Sequence, residues 1–368
     1  MFVAWRDLRF AKGRFALMGS VIVLITLLVG LLSGLTAGLA RENISAITGL
    51  PADRLAFAAP PSGQSVSFTS STVTEEQWDG WAKRPGVTEA APLGIRTLNA
   101  AAGDRTAAVS AFGTEPGTGL APESGRLGAG KAVLSESAAE ELGVGVGDAL
   151  RLGPLEATVT AVSGDASYSH TPVVWTSLDD WQQLGHSGTT PQEQATVIAL
   201  SGSGGGSDDG SGVDWAAGDK AAGTEARTID DALTAIGSYQ AENGSLQLMR
   251  GFLFAISALV IGAFFTVWTI QRSGDVAVLK ALGASTPYLL KDALGQAVLM
   301  LTAGTLLGTA LAVGIGALVS GGNVPFVLEP LTVLGPAAVI IVLGVLGAAL
   351  SIRRITAVDP LTALGSAR

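Results

Sequence analysis

Four stretches of the chain are almost wholly apolar, at about residues 15–40, 246–270, 294–320 and 331–352. Each reaches the roughly 20 residues that a helix needs to cross a bilayer. All four are rich in Gly, Ala, Ser and Thr, the small residues that let membrane helices approach closely. Between the first and second stretches the rhythm changes to short apolar runs broken by Gly, Pro and Asp. Runs at 92–99, 106–112, 132–135, 149–152, 157–162, 173–175 and 195–200 predict strands. Helical patterns fall at 74–83, 135–142 and 177–184, the first opened by Thr74 with Glu75, Glu76 and Gln77 behind it. Residues 201–212 read as a flexible Gly/Ser/Asp loop. Helical periodicity then resumes at 228–239 and is expected to run straight into the second apolar stretch. The predicted fold class is a membrane α-helical chain of four transmembrane helices, with an α/β domain inserted between helices 1 and 2.

Composition agrees with that division. The 368 residues are 48% hydrophobic and 14% charged, where a soluble protein carries about a quarter charged residues. The chain contains no cysteine, which excludes disulfides, thiolate metal sites and cysteine nucleophiles. Its charges are unevenly spread. Segments 1–14, 271–293 and 353–368 hold ten of the 22 Lys and Arg but only four of the 31 Asp and Glu. By the positive-inside rule both termini and the loop at 271–293 face the cytoplasm, which places residues 41–245 outside the cell. The expected location is the plasma membrane, crossed several times. The first apolar stretch exceeds the 7–15 residues of a signal-peptide core, so it reads as a retained anchor. Before it, Phe2, Val3, Trp5, Leu8, Arg9 and Phe10 suit an interfacial helix at 1–14. No basic stripe suggests a nucleic-acid partner.

The motifs are few, and several mislead. Gly125-Arg-Leu-Gly-Ala-Gly130-Lys131-Ala132 approaches a phosphate-binding loop, but Ala132 replaces the Ser or Thr that holds magnesium. The run after it reads as a strand where the motif requires a helix. ATP hydrolysis is therefore expected on a separate chain, and this one is not expected to be an enzyme. The two histidines, His170 and His186, lack metal-ligand spacing and read as surface or loop residues. Neither a Ser–His–Asp arrangement nor an HExxH motif is present, and Asn43-Ile-Ser45 and Asn243-Gly-Ser245 are sequons at chance level.

The loop after the second apolar stretch is more specific. Asp275-Val-Ala-Val-Leu-Lys280-Ala-Leu-Gly283-Ala-Ser285 predicts a short helix with an exposed Lys280, ended by Gly283, and a second helix starting beside Ser285 and Pro287. This segment resembles the coupling loop of the FtsX-like, MacB-type permeases of ABC transporters. The tail, with Arg353-Arg354, Asp359-Pro360 and Ala363-Leu364, resembles the closing motif of the same family. The resemblance implies a homodimer bound to two copies of an ABC ATPase subunit. Docking would run through Asp275, Lys280, Leu282, Gly283 and Ser285.

A second patch opens the second apolar stretch. Tyr239, Glu242, Leu246 and Met249 fall on one face at helical spacing, offering a phenol, a carboxylate and a thioether together. Oxygen and thioether donors both ligate haem iron, and a carboxylate is costly to retain on an apolar helix. With Phe264-Phe265 and Thr269-Ile270-Gln271 downstream, the patch resembles the haem-exporting members of the family. That resemblance implies haem as transported substrate, with no intrinsic cofactor and no metal apart from haem iron. Glu242, Met249 and Tyr239 would bind it, and Arg41 and Arg250 would meet propionates or lipid phosphates. The alternatives are a solvated Glu242 and an ordinarily packed Met249. The same fold could also export a lipid, lipoprotein or antimicrobial peptide, or transmit force to a cell-wall hydrolase.

Overall fold

A computed structural model describes residues 12–185, 194–203, 212–271, 274, 278–280, 282–319 and 324–356. Residues 1–11 of the segment expected to form an interfacial helix, His186, most of the Gly/Ser/Asp tract, Asp275 and the closing Asp-Pro motif lie outside the described residues. The chain divides into two compact units: residues up to Leu39 with those from Gly244 onward, and Ala40–Asn243.

The first unit is built on four helices long and apolar enough to cross a membrane. They are α1 (Lys12–Thr48), α7 (Gly237–Gln271), α8 (Thr286–Val319) and α9 (Pro330–Thr356). All four supply side chains to one buried cluster, which includes Ile22, Val29, Ile261, Phe265, Leu301 and Ile340. Helix α8 presents Gly304, Gly308 and Ala312 at four-residue intervals to α1. A Cβ added at Gly304 would lie 2.8 Å from Ile22, and one added at Gly308 would lie 2.7 Å from the Val23 carbonyl oxygen. This is the small-residue stripe that lets two membrane helices touch at backbone distance. Thr266 Oγ1 and Ser351 Oγ share a hydrogen bond of 2.8 Å between α7 and α9. The Val327 amide donates to the Gly34 carbonyl of α1 (3.1 Å), which seats the segment before α9.

The apolar stretches at 15–40, 246–270 and 331–352 each lie within a longer helix, and the third is helical through Val319. Helix α1 continues to Thr48 because Ala46 and Ile47 remain on one face, fully buried in a core of the second unit. The helix expected from 228 into the second span is a correction. Thr228 caps a single turn, α6 (Ile229–Ala232), which tightens to a 3-10 turn at Leu233–Ala235. Ile236 is then extended, at ψ 109, and a new helix begins at Gly237. Ile236 is 1% exposed in the same core, so turning its side chain inward breaks the helix that periodicity alone would continue.

The second unit is a mixed α/β domain. Its strands are β1 (Arg54–Ala58), β2 (Val73–Thr74), β3 (Val87–Ala102), β4 (Arg105–Thr114), β5 (Lys131–Leu134), β6 (Ala149–Leu152), β7 (Leu155–Val162), β8 (Ser167–Tyr168), β9 (Thr171–Ser177), β10 (Gln194–Ala195), β11 (Val197–Gly202) and β12 (Thr224–Thr228). The helices are α2 (Glu75–Ala82), α3 (Glu136–Leu142), α4 (Leu178–Gln183) and α5 (Trp215–Ala222), besides α6. The main sheet runs β12-β1-β11-β3-β4-β9-β5-β7-β6, with β8 beside β9 and β10 paired separately with β2. The far end of β3 also pairs with β6, Ala100 opposite Leu152, so the strands from β3 to β6 close into a ring.

Local chemistry marks the helix starts. The Thr74 amide donates to Gln77 Oε1 (3.0 Å), half of a capping box. Ser135 Oγ and Ser177 Oγ each accept from the amide three residues on, at 3.3 and 3.2 Å. The seven expected strands all appear, with β3 much longer than expected and 195–200 divided between β10 and β11. Strands β1 and β12 and helix α5 are additions that the sequence pattern does not predict.

Candidate functional site

The site is assembled from three pieces of the Ala40–Asn243 unit: the end of α1, the β8–β9 turn and the start of α7. Tyr168 pairs with Thr171, so Ser169 and His170 form a two-residue hairpin loop. Both are left-handed, with φ of 50° and 62°. A turn of this kind favours Asn-Gly, because the Cβ of an L-residue crowds the backbone carbonyl there. Holding two ordinary residues in it costs on the order of 1–3 kcal/mol each. The surroundings offset that strain. The Ser169 amide donates to the Asn43 carbonyl (3.0 Å) and the His170 amide to the Glu42 carbonyl (3.2 Å), both on α1. Ser45 Oγ accepts from the Ser167 amide at 2.9 Å. Tyr168 is buried edge-on against Phe68 and Phe112, and burial pushes its phenol well above the ordinary value. Aromatic packing on one side and the α1 carbonyls on the other thus fix the turn.

What the turn presents is an imidazole. His170 Nε2 stands 2.9 and 3.0 Å from the two carboxylate oxygens of Glu242, and its Nδ1 stands 3.8 Å from Glu42 Oε2. Asn43, 1% exposed, closes the group. Its Nδ2 lies 3.1 Å from His170 Nε2 and 3.3 Å from Glu242 Oε2, while its Oδ1 accepts from Ser238 Oγ at 2.8 Å. Ser238 Oγ is also 2.8 Å from Ser169 Oγ. The surroundings are acidic. Glu141 on α3 has its carboxyl raised, first by burial and then by the charges of Glu42 and Glu140. The result is a half-exposed carboxylate, Glu242, oriented by an imidazole and an amide. It can serve as an anionic ligand or be tied up by its own donors.

Of the residues singled out in the sequence, Glu242 is the one the structure places in this hydrogen-bonded cluster. Tyr239 is half-buried and packs against the domain core. Met249 lies seven positions after Glu242 along the same helix and is 48% exposed. Arg41 is exposed beside Glu42, and Arg250 is half-buried on α7. His170, a plain loop residue by sequence, does sit in a loop, but it is paired with a carboxylate 72 positions away, a separation that no local pattern reveals. The phosphate-loop look-alike resolves as expected: Lys131 opens strand β5, and the Gly130 amide donates to Asp180 Oδ2 at 2.8 Å. That amide is thus already bonded to a carboxylate of the protein.

Comparison with known families decides the assignment. The family profile described as "MacB-like periplasmic core domain" matches residues 16–205, and "FtsX-like permease C-terminal" matches residues 248–360. The chain belongs to the FtsX-like, MacB-type permease family. It is thus a permease subunit of an ABC transporter, with an extracellular α/β domain between its first and second membrane helices. It is similar to "Putative hemin transport system permease protein HrtB" of Staphylococcus haemolyticus, at 27% identity over 99% of both chains. It is also similar to an uncharacterized ABC transporter permease of Mycobacterium tuberculosis, at 24% identity over 99% of both chains. Among solved structures, the periplasmic region of MacB from Actinobacillus actinomycetemcomitans aligns with 52% of this chain and 95% of its own, at 13% identity and a TM-score of 0.35.

In this permease the described residues after α7 end their helix at Gly283, as the sequence predicts. Gly283 takes φ 94, its amide donates to the Lys280 carbonyl (3.0 Å), and the Ala284 amide donates to Leu279 (2.9 Å). These two bonds are the Schellman ending, and the positive φ is why glycine stands there. Helix α8 begins at once, with the Leu289 amide bonded to the Ser285 carbonyl (3.2 Å). Lys280 is half-buried, which corrects the expectation of an exposed lysine. The side chain that protrudes is Leu282, 79% exposed just before the turn.

Proposed function

We propose that the permease is the membrane half of an efflux pump that takes haem from the bilayer and expels it outward. The observation that carries this reading is the Glu242 site, in a chain similar over its whole length to permeases named for hemin transport. A carboxylate at the start of a membrane helix offers an anionic oxygen to ferric iron. Met249, two helical turns further on, offers a thioether, and Tyr239 a phenol at the edge of the site. Arg41 and Arg250 are placed in sequence to meet propionates or lipid phosphates.

Haem enters laterally between helices α1 and α7 of a homodimer. Two copies of a separate ABC ATPase dock through Asp275, Lys280, Leu282, Gly283 and Ser285, with both termini on the same cytoplasmic side. ATP-driven closure of those subunits pushes on the loop and collapses the pocket. Full-length protein titrated with haemin tests the assignment. A Soret shift is expected, with affinity reduced at least about tenfold, or 1.4 kcal/mol, in Glu242→Ala. No shift, or one unchanged in both Glu242→Ala and Met249→Ala, refutes the site.

A further inference from the structure

From Gly304 to Ala312 helix α8 touches α1 directly, and the contact still holds at Gly30, where an added Cβ would lie 2.9 Å from Ala312 Cβ. One turn further on, the nearest neighbour of Gly34 on α1 and of Gly316 on α8 is no longer the other helix. It is the ring of Phe326 in both cases. A Cβ added at Gly34 would run into that ring, 2.6 Å from Cε1 and 2.8 Å from Cε2. One added at Gly316 would lie 2.9 Å from Cζ and 3.1 Å from Leu328 Cδ2. At Gly38 it would meet the Pro325 carbonyl, with the Phe326 nitrogen 2.8 Å away. The non-helical segment 325–329 is tied down by the Val327 amide, which donates to the Gly34 carbonyl (3.1 Å). Gly314 on α8 and Gly335 on α9 have nothing within 4 Å of an added Cβ, so glycine at 34, 38 and 316 marks close approach. The ring stands between the two helices, in the space their missing side chains leave.

Helices that cross diverge away from their closest point, and a gap left there forfeits packing. A rigid aromatic ring fills it, and the glycines let its backbone follow. We propose that Phe326 is a positioning residue, a wedge that fastens the end of α1 to the end of α8 so that the two helices move as one body. Without the wedge the pair pivots about the contact at Gly304, Gly308 and Ala312. Helix α8 starts at Thr286, soon after the turn at Gly283, and Gly316 lies about 45 Å further along it. A push at that loop therefore reaches the far end of α1 through Phe326. The transmitted push rests on the ATPase-driven reading given above; the fastening does not.

Full-length protein in nanodiscs tests this. The chain has no cysteine, so Leu35→Cys and Leu318→Cys, both at exposed positions, carry a spin-label pair on the two helix ends with no other change. Singly labelled protein identifies any distance between copies. The distance distribution from pulsed EPR is expected to be narrow with Phe326 present and to broaden in Phe326→Ala. It should narrow again in Phe326→Leu, which refills most of the gap. Thermal unfolding gives an independent reading. Gly34→Ala is expected to lower the midpoint by several degrees in the wild type and by none in Phe326→Ala, where the methyl enters the vacated space. Equal losses in the two backgrounds, or a distribution as narrow in Phe326→Ala as in the wild type, overturn the wedge. With the ATPase bound, Phe326→Ala is expected to keep stimulated ATP hydrolysis within about twofold, while haemin export from proteoliposomes falls about tenfold or more. Export that falls only in step with hydrolysis overturns the transmission. If the wild type exports no haemin, the efflux reading fails, and the EPR and unfolding results still decide the wedge.

Discussion

Gly308→Ala adds one methyl group where α8 touches α1. The new Cβ would lie 2.7 Å from Thr26 Cβ, 2.7 Å from the Val23 carbonyl oxygen and 3.2 Å from Thr26 Cγ2. Ordinary contact starts near 3.4 Å, so the site is about 0.7 Å too small. Rotating a side chain does not relieve this. One of the atoms is backbone, and Thr26 is fixed by its own bond to the Ile22 carbonyl (2.8 Å). The helices must separate, at an overpacking cost of about 1–3 kcal/mol. Alanine regains roughly 1 kcal/mol over glycine within a helix. The net expectation is a loss near 1 kcal/mol. Gly314, six positions along the same helix, has nothing within 4 Å of an added Cβ, and alanine there collects the gain alone. The same substitution is therefore expected to have opposite signs at the two positions. Tryptophan fluorescence during unfolding in mixed detergent micelles reads both. Equal stability of the two variants would refute close helix contact at Gly308 as the reason for its glycine.

Three further outcomes follow from features elsewhere. Trp181 lies across Gly94 and Gly113, which face each other in the β3–β4 ladder, and Arg96 stacks on its ring at 5.4 Å. Trp181→Ala is expected to cost about 3–5 kcal/mol in unfolding experiments, and a loss below about 1 kcal/mol would contradict that packing. The raised Glu141 carboxyl means that the folded protein holds this proton more tightly than the unfolded chain, so stability falls as pH rises through the carboxylate range. Glu141→Gln should stabilise by about 0.3 kcal/mol at neutral pH, with the gain gone below the carboxylate range; a gain that persists in acid would rule out this cause. Leu282→Asp places a charge on the most exposed apolar side chain among the described residues of the loop proposed to couple to the ATPase. It is expected to abolish permease-stimulated ATP hydrolysis while leaving haemin binding intact, and undiminished stimulation would remove Leu282 from the docking surface.

The four membrane helices are legible in the sequence because water-soluble folds rarely hold an uncharged apolar run long enough to cross a bilayer. Strand β6 is legible to the residue, since Gly147-Asp148 before it and Gly153-Pro154 after it bound a short alternating run. Strand β1 is not. Its sequence, Arg-Leu-Ala-Phe-Ala, is buried along nearly its whole length, so it shows no alternation, and its partners lie more than 140 positions away. The break at Ile236 is hidden for a related reason, because helical periodicity cannot show that one apolar side chain is needed in a core to the side of the helix. Glu242 stands out as a carboxylate on an apolar helix. His170 does not, because its role exists only where a hairpin tip meets two helix ends. The one local hint is Tyr168-Ser-His-Thr171 between two strand-like runs, a two-residue loop without the glycine such loops prefer.

The position of β1 in the sheet bears on how the domain is made. This strand is the first of the domain to leave the ribosome, yet it lies between β11 and β12, the last two synthesised. It therefore waits through about 140 residues of synthesis before either neighbour exists, and contacts of such separation form slowly. The ring from β3 to β6 has no such delay, because all of its members are made by residue 177. Assembly is thus ordered by topology: the ring can close while the chain is still emerging, β11 and β1 can join only after Gly202, and β12 completes the edge after Thr228. Until β11 is made Leu55 and Phe57 lack a strand to hold them against their core, and this interval exposes the nascent permease to aggregation.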